Sequence, residues 1–406
     1  MSELENNDHR RIGQELDLFI FSDLVGSGLP MWTPRGTIIR QELDNFVWEL
    51  RSQYDYSRVT IPHITKRDLY ETSGHWGKFG DDLFKIVSRE GKEYALKPMN
   101  CPHHTQIFAR KPHSYREMPQ RYAETTTVYR DEQSGELSGL TRVLSITQDD
   151  SHVFCRTSQI KEEFLKIWDI VDKFYSTFGF SIRVRLSFRD QNTPEKYLGT
   201  TDIWNQAEKA LREIAEKRKA DYFEGPGEAA LYGPKLDFIA KSAASREWQV
   251  ATIQLDMNLP DRFNLTCVNE KGENERIVMI HSAITGSIER CVAILLEHFN
   301  GSLPLWLSPV QVKVLPIGET HFEYAKNGFE KLKVENIRVE LDDSNESLGK
   351  KIRNAKTERI PYMLVIGDKE VSEDKVTLES RNSGNLGQLE MEKLISKLKQ
   401  EIKDRK

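Results

Sequence analysis

The chain has 406 residues, 38% of them hydrophobic and 30% charged, and a net charge of −5 at neutral pH. That length implies two or three domains with ample core, the composition fits a soluble globular protein, and no apolar run nears the roughly 18 residues a membrane helix needs. The acidic balance argues against non-specific coating of nucleic acid but leaves room for a local basic patch.

Residues 1–18 are polar and charged, unlike a secretory signal. The cysteines at 101, 155, 267 and 291 are too scattered for a disulfide framework, so a reducing, cytoplasmic setting is expected. Ile39, Leu43, Phe46, Val47 and Leu50 fall at helical spacing, and a strand-like run over 58–61 ends at Pro62. Runs 84–87 and 94–97 flank Gly91 and predict a hairpin. A β-prone stretch, 124–129, enters Arg130-Asp131-Glu132; a Gly/Ser-rich loop over 134–139 follows, and the chain returns as a strand over 142–148. Ser158 is placed to cap a helix carrying Phe164, Ile167, Val171, Phe174 and Phe178, with Gly179 just beyond its end. Further strands are predicted over 182–186, 248–255 and 276–280. Helices set among runs joined by hairpins imply a largely antiparallel sheet, so residues 1–304 read as an α+β domain.

Beyond Pro304 and Pro309, strand and helix alternate. Strands are expected over 310–315, 337–341 and 362–366, and helices over about 320–334, 346–358 and 388–404. Residues 305–406 therefore read as a small α/β domain.

Common nucleotide signatures are missing. Gly349-Lys350-Lys351 fails the phosphate-loop pattern at its last position, and there is no G-x-G-x-x-G after a strand and no serine-hydrolase elbow. Two other features stand out. Arg130 and Arg142 flank the 134–139 loop, and an arginine fork suits phosphate because it donates parallel hydrogen bonds and stays charged. Gly286-Ser287-Ile288-Glu289-Arg290 follows the strand at 278–280 and enters an apolar helix; the glycine permits close approach of a ligand and the arginine lies one turn on. Read alone, each has a plainer alternative: an arginine paired with Glu132 on a hairpin, and a surface arginine on a packing helix.

Together these pieces resemble the class II aminoacyl-tRNA synthetases. The helix and strand ending at Pro62 are similar to that class's dimer motif, Arg130-Asp131-Glu132 with Arg142 to its second motif, and Gly286 to Arg290 to its third. The H-I-G-H and K-M-S-K-S signatures of the other class are absent. Met99-Asn100-Cys101-Pro102, Ser73-Gly74-His75-Trp76, Gln148-Asp149-Asp150-Ser151-His152, Tyr232-Gly233-Pro234-Lys235 and His281 resemble the threonyl-tRNA synthetase pattern, over essentially the whole chain.

The resemblance implies threonine, ATP and tRNA(Thr) as substrates, Mg²⁺ accompanying ATP, and one Zn²⁺ per chain on Cys101, His152 and His281. Spacing alone does not point to that trio, which holds no C-x-x-C pair. Arg130 would hold the α-phosphate and the amino-acid carboxylate, Glu132 the adenine, and Arg142 and Arg290 the outgoing phosphates. Gln148, Asp150 and Tyr232 would contact the substrate around the zinc, with Lys235, Gln249, Gln254 and Ser287 near the adenylate. His75 would accept the proton when the tRNA ribose attacks. A site demanding a hydroxyl rejects valine by about 10⁴, whereas the methyl that serine lacks is worth only about 1–3 kcal/mol, so serine should leak through.

The C-terminal domain resembles an anticodon-binding domain. Lys350, Lys351, Arg353, Lys356 and Arg359 would offer phosphate contacts, and Asn345 and Glu370 would read bases. Glu379 stands where the family often has arginine, and Arg381 is the substitute candidate. The resemblance further implies a homodimer paired around Pro62. Related enzymes carry N-terminal domains, one of which removes misattached serine; this chain starts almost at the catalytic domain, so seryl-tRNA(Thr) is expected to accumulate unless a separate trans-editing protein clears it. Two rivals stay open: a sister synthetase such as the prolyl or seryl enzyme, and a non-catalytic tRNA-binding paralogue.

Overall fold

The computed structural model describes residues 7–241 and 246–406. They form two compact units: Asp23–Leu29 with Asp44–Cys291, and residues up to Ser22 with Pro30–Leu43 and Val292–Lys406. Among the described residues no helix is long and apolar enough to cross a membrane.

The first unit is built on an eight-stranded sheet. In chain order its strands are β1 (Ser57–Arg58), β2 (Gln120–Tyr129), β3 (Ser145–Cys155), β4 (Ser181–Phe188), β5 (Tyr222–Pro226), β6 (Lys235–Lys241), β7 (Glu247–Asp256) and β8 (Val278–Ser287). Their spatial order is β5-β4-β6-β7-β8-β3-β2-β1, antiparallel except for the two edge pairs, β5 with β4 and β1 with β2. This is the expected α+β arrangement. The first eight residues of β8 are all buried, as a strand covered on both faces must be.

Helix α1 (Pro34–Ser52) starts with proline at its first position, where no amide partner is lost. The five apolar residues predicted for it are all buried, and Phe46 stacks on Phe174 at 5.2 Å. Helix α2 (Cys101–Ala109) leads into the site. Helix α3 (Ile160–Thr177) covers the sheet, and Tyr175 on it donates to the carbonyls of Val250 and Ile284. Ser158 does not cap it. Ser158 lies inside a 3-10 turn over Thr157–Gln159, and the Gln159 side chain instead closes the turn by accepting from the Arg156 amide. Gly179 sits past the end at φ 76°, as expected. Helix α4 (Thr201–Arg218) was not foreseen.

Three strands are shorter than their sequence patterns. The 58–61 run pairs only as β1, because the Glu124 side chain takes the Ile61 amide at 3.2 Å in place of a ladder bond. The return from the 134–139 loop becomes a strand only at Ser145. The 276–280 run breaks at buried Ile277: Arg276 ends a small hairpin strand, and β8 begins at Val278. The 84–97 hairpin forms, with Lys85–Val87 against Glu93–Leu96 and Gly91 at φ 74°.

The second unit carries a five-stranded sheet. Helix α5 (Ile288–His298) starts in the first unit and belongs to the second from Val292, whose further elements run β9 (Val312–Pro316), α6 (Phe322–Val334), β10 (Val339–Leu341), α7 (Leu348–Thr357), β11 (Tyr362–Ile366), α8 (Asp368–Glu373), β12 (Val376–Ser380), β13 (Gly384–Leu389) and α9 (Met391–Lys403). The order is β10-β9-β11-β12-β13. The first three strands are parallel, as strand–helix alternation requires, and β12 and β13 add an antiparallel hairpin that the pattern did not reveal. Asp374 at φ 52° ends α8 before β12, and Gly384 at φ 68° closes the hairpin turn. Val312, Val314, Leu332, Leu364, Leu378, Leu394 and Leu398 form its core.

Candidate active site

His281 on β8 and His152 on β3 are direct register partners, so their rings share one sheet face. Cys101 reaches them from the first residue of α2. One ligand atom from each lies within 4.8 Å of the others, and all three residues are buried. A trio that sequence spacing scatters over 180 positions is thus brought together by strand register and one helix N-terminus. The second nitrogen of each ring is engaged: His281 Nε2 lies 2.9 Å from Asp256 Oδ2, and His152 Nδ1 lies 2.7 Å from His104 Nδ1. Burial holds the Cys101 thiol well above its usual pKa, so binding a metal there must release a proton.

The donor set fits zinc: two imidazoles and a thiol, close enough to share an ion, with the fourth position left to a ligand. Groups suited to a small polar amino acid surround it. Tyr232 stacks on His281 at 4.9 Å and donates to Gln254 at 2.6 Å. Asp150 Oδ1 is 3.7 Å from His152 Nε2, and Asp150 Oδ2 accepts from Asn100 at 3.0 Å. Asn100 Oδ1 is buried without a hydrogen-bond partner, which marks a place for a further donor. The His75 ring lies 6.4 Å from Tyr232, with Nδ1 2.8 Å from Ser73 Oγ; burial pushes its pKa down to about 4, so its imidazole is neutral at physiological pH.

The arginines differ in their surroundings. Arg130 follows β2, and its Nε donates to the Pro98 carbonyl at 3.3 Å. Glu132 pairs with Arg142, at 2.8 Å, rather than with Arg130. Arg142 also reaches Glu136, so two carboxylates occupy a fork expected to meet phosphate. Arg290 lies 5.5 Å over the Trp248 ring, and its buried Nε has no hydrogen-bond partner. Desolvation draws its pKa below the usual arginine value. Ser287 Oγ accepts from the Arg290 amide at 3.0 Å. Gly286 has φ 68°, and a Cβ there would sit 3.3 Å from the Val250 carbonyl, so the position requires glycine. Ser287 is the register partner of Gln148, and Lys235 of Gln254, so these candidates are neighbours in pairs.

Sequence reasoning missed Asp237. It is wholly buried and gathers Gln249, Arg185, Ser187 and Thr252 at 2.6 to 3.0 Å, with Lys235 at 3.2 Å. Asp256 and His104 were missed as well. The available signal for Asp237 was a lone acid inside the otherwise apolar run 236–240, a position that demands internal partners.

In the second unit, Asn345 lines a cavity of about 260 Å³ with Pro316, Ile317, Gly318, Glu346 and Lys351, at the ends of parallel strands β9 and β10. Open α/β sheets bind ligands at such ends. Glu370 and Arg381 do not line it. Glu370 is buried and accepts from the Gly367 amide, Thr377 and Gln388 at 2.7 to 2.9 Å. Arg381 donates to the carbonyls of Arg359, Ser302 and Leu303. The basic helix is also partly committed. Lys351 is buried against the Pro316 and Asp342 carbonyls, while Lys350, Lys356 and Arg359 pair with Glu346, Glu379 and Glu15. Arg353 is exposed.

Comparison with known proteins places this geometry. The profile of the tRNA synthetase class II core domain (G, H, P, S and T) matches residues 84–299, and that of an anticodon binding domain matches 311–401. A threonine–tRNA ligase of Porphyromonas gingivalis is 47% identical over 407 aligned positions, covering 100% of this chain and 62% of that protein. One from Phocaeicola vulgatus is 46% identical, with 99% and 63% covered. The chain thus spans under two thirds of the length of these curated relatives. A crystal structure described as the RNA binding domain of threonyl-tRNA synthetase from Cryptosporidium parvum superposes with a TM-score of 0.92 at 39% identity, covering 97% of this chain and 98% of that one.

Proposed function

The chain belongs to the class II tRNA synthetase family, and on that premise we propose that it acts as a threonine–tRNA ligase. It joins threonine to ATP as threonyl-adenylate, with Mg²⁺ on the phosphates, and transfers the threonyl group to the terminal ribose of tRNA(Thr). The catalytic domain is proposed to span 1–304 and the anticodon-binding domain 305–406; the assembly is a homodimer in the cytoplasm.

The observation that carries the amino-acid specificity is the buried Cys101–His152–His281 cluster beneath Asp150, Tyr232 and Gln254. Zinc held by Cys101, His152 and His281 would supply Lewis acidity toward the amino and hydroxyl groups of the substrate. Asp150 favours the ammonium or amino end of the substrate, and Gln148, Tyr232 and Gln254 bound its side. Valine offers no hydroxyl and is rejected; serine is not.

The threonine carboxylate attacks the α-phosphate in line, and pyrophosphate leaves. Charge stabilisation is the main demand of this step. Arg130 meets the α-phosphate and carboxylate. Arg290, with an undirected buried Nε, meets the departing phosphates. Arg142 joins it once released from Glu132, which turns to the adenine. Gln249, Lys235 and Ser287 line the adenylate. In the second unit, the Asn345 cavity takes an anticodon base, with Arg353 and Lys356 toward phosphate. Glu370 and Arg381, bonded internally, are proposed to shape that surface.

His75, neutral and buried, accepts the ribose proton in the transfer step. His75→Ala is expected to slow transfer to tRNA about 10²-fold or more, to leave adenylate formation within a few-fold, and wild-type transfer should show no titration of this base above about pH 5. Equal loss in both half-reactions, measured by single turnover, would remove His75 from this role.

A further inference from the structure

One imidazole of the cluster, His281, holds a carboxylate as second partner, and that partner decides which of its nitrogens is free for a metal. A neutral imidazole carries one N–H and one lone pair, and only the lone pair binds metal. We infer that Asp256 is a positioning residue that fixes the tautomer of His281, so that this ring offers Nδ1. The inference rests on the proposed reading of Cys101, His152 and His281 as zinc ligands.

For His281 the argument is direct. Its Nε2 lies 2.9 Å from Asp256 Oδ2, and Asp256 is 0% exposed. A carboxylate only accepts, so the proton sits on Nε2 and the lone pair on Nδ1. The other Asp256 oxygen, Oδ1, accepts from the amides of Asn258 and Leu259 at 2.8 and 3.0 Å. The carboxylate is therefore clamped at one oxygen and aimed at the ring with the other.

Asp256→Asn tests this without removing the clamp. Asn Oδ1 still accepts from the Asn258 and Leu259 amides, which leaves the amide NH₂ facing His281. That NH₂ donates to Nε2 and forces the proton onto Nδ1, where it blocks the metal. Co²⁺ binding, followed by its visible thiolate absorption in competition with a chelator, is the readout. Wild-type protein is expected to bind one Co²⁺ per chain, and Asp256→Asn to bind 10–100-fold more weakly at unchanged melting temperature. In metal-free wild type, ¹⁵N histidine shifts should report Nε2–H on His281. Binding in wild type with equal affinity in Asp256→Asn, or the opposite His281 tautomer, overturns the inference alone. Absence of Co²⁺ binding in wild type overturns the ligand reading and the inference with it.

Discussion

Arg290 in the first unit and Arg381 in the second are both drawn out of water, and both have their pKa lowered by burial. Their hydrogen bonds differ. Arg290 keeps a buried Nε with no partner, over an indole ring. Arg381 is tied to three backbone carbonyls. The same contrast separates Asn100, with its orphaned Oδ1 beside the cluster, from Glu370, whose carboxylate accepts three internal bonds. Buried polar groups are nearly always satisfied. The unsatisfied Asn100 and Arg290 atoms are read as places for a ligand, and the fully bonded Glu370 and Arg381 as scaffold. Residue type alone does not separate the two cases.

That contrast can be broken at three strengths. The largest effect is expected at a buried charge matched inside the fold. Asp149 is 0% exposed and accepts from Arg51, 2% exposed, and from the Ile284 and Thr285 amides. Asp149→Asn leaves Arg51 uncompensated and should lower unfolding free energy by about 3–5 kcal/mol in urea titration. A loss under 1 kcal/mol would mean that the pair is not the anchor of β3 and β8. Next, Arg290→Ala should reduce pyrophosphate exchange about 10²–10³-fold, with stability nearly unchanged and metal content intact; a large stability loss with exchange preserved would make it scaffold. The smallest effect is expected from Arg381→Ala, about 1–3 kcal/mol of stability from the carbonyls left unpaired, with pyrophosphate exchange unaffected. A raised KM for tRNA at unchanged stability would instead return Arg381 to base reading.

The sequence was most legible where a period is long and regular. The Ile39–Leu50 spacing gives α1, and the runs around Gly91 give a hairpin, because burial of one face dictates both patterns. It was least legible where side chains replace backbone bonds. Glu124 ends the pairing of β1, and Gln159 rather than Ser158 closes the turn before α3. The antiparallel β12–β13 pair was missed although its turn runs into left-handed Gly384, because half of β13 is exposed and it carries little apolar pattern. In the site, the arginines carried a chemical signal of their own. Cys101, His152 and His281 did not, since the register that joins His152 to His281 is not written in their spacing; family resemblance supplied them. Asp256 behind His281, and Asp237 behind Gln249 and Lys235, gave only the weak hint of an acid within an apolar run.

The most direct test of threonine activation is amino-acid-dependent pyrophosphate exchange with purified chain, run with threonine, serine, valine and proline while zinc per chain is counted. The account predicts about one zinc per chain, strong exchange with threonine, weaker but measurable exchange with serine, none above background with valine or proline, and loss of threonine discrimination when the metal is stripped. Exchange driven by proline, or threonine exchange that persists unchanged in zinc-free protein, would contradict it.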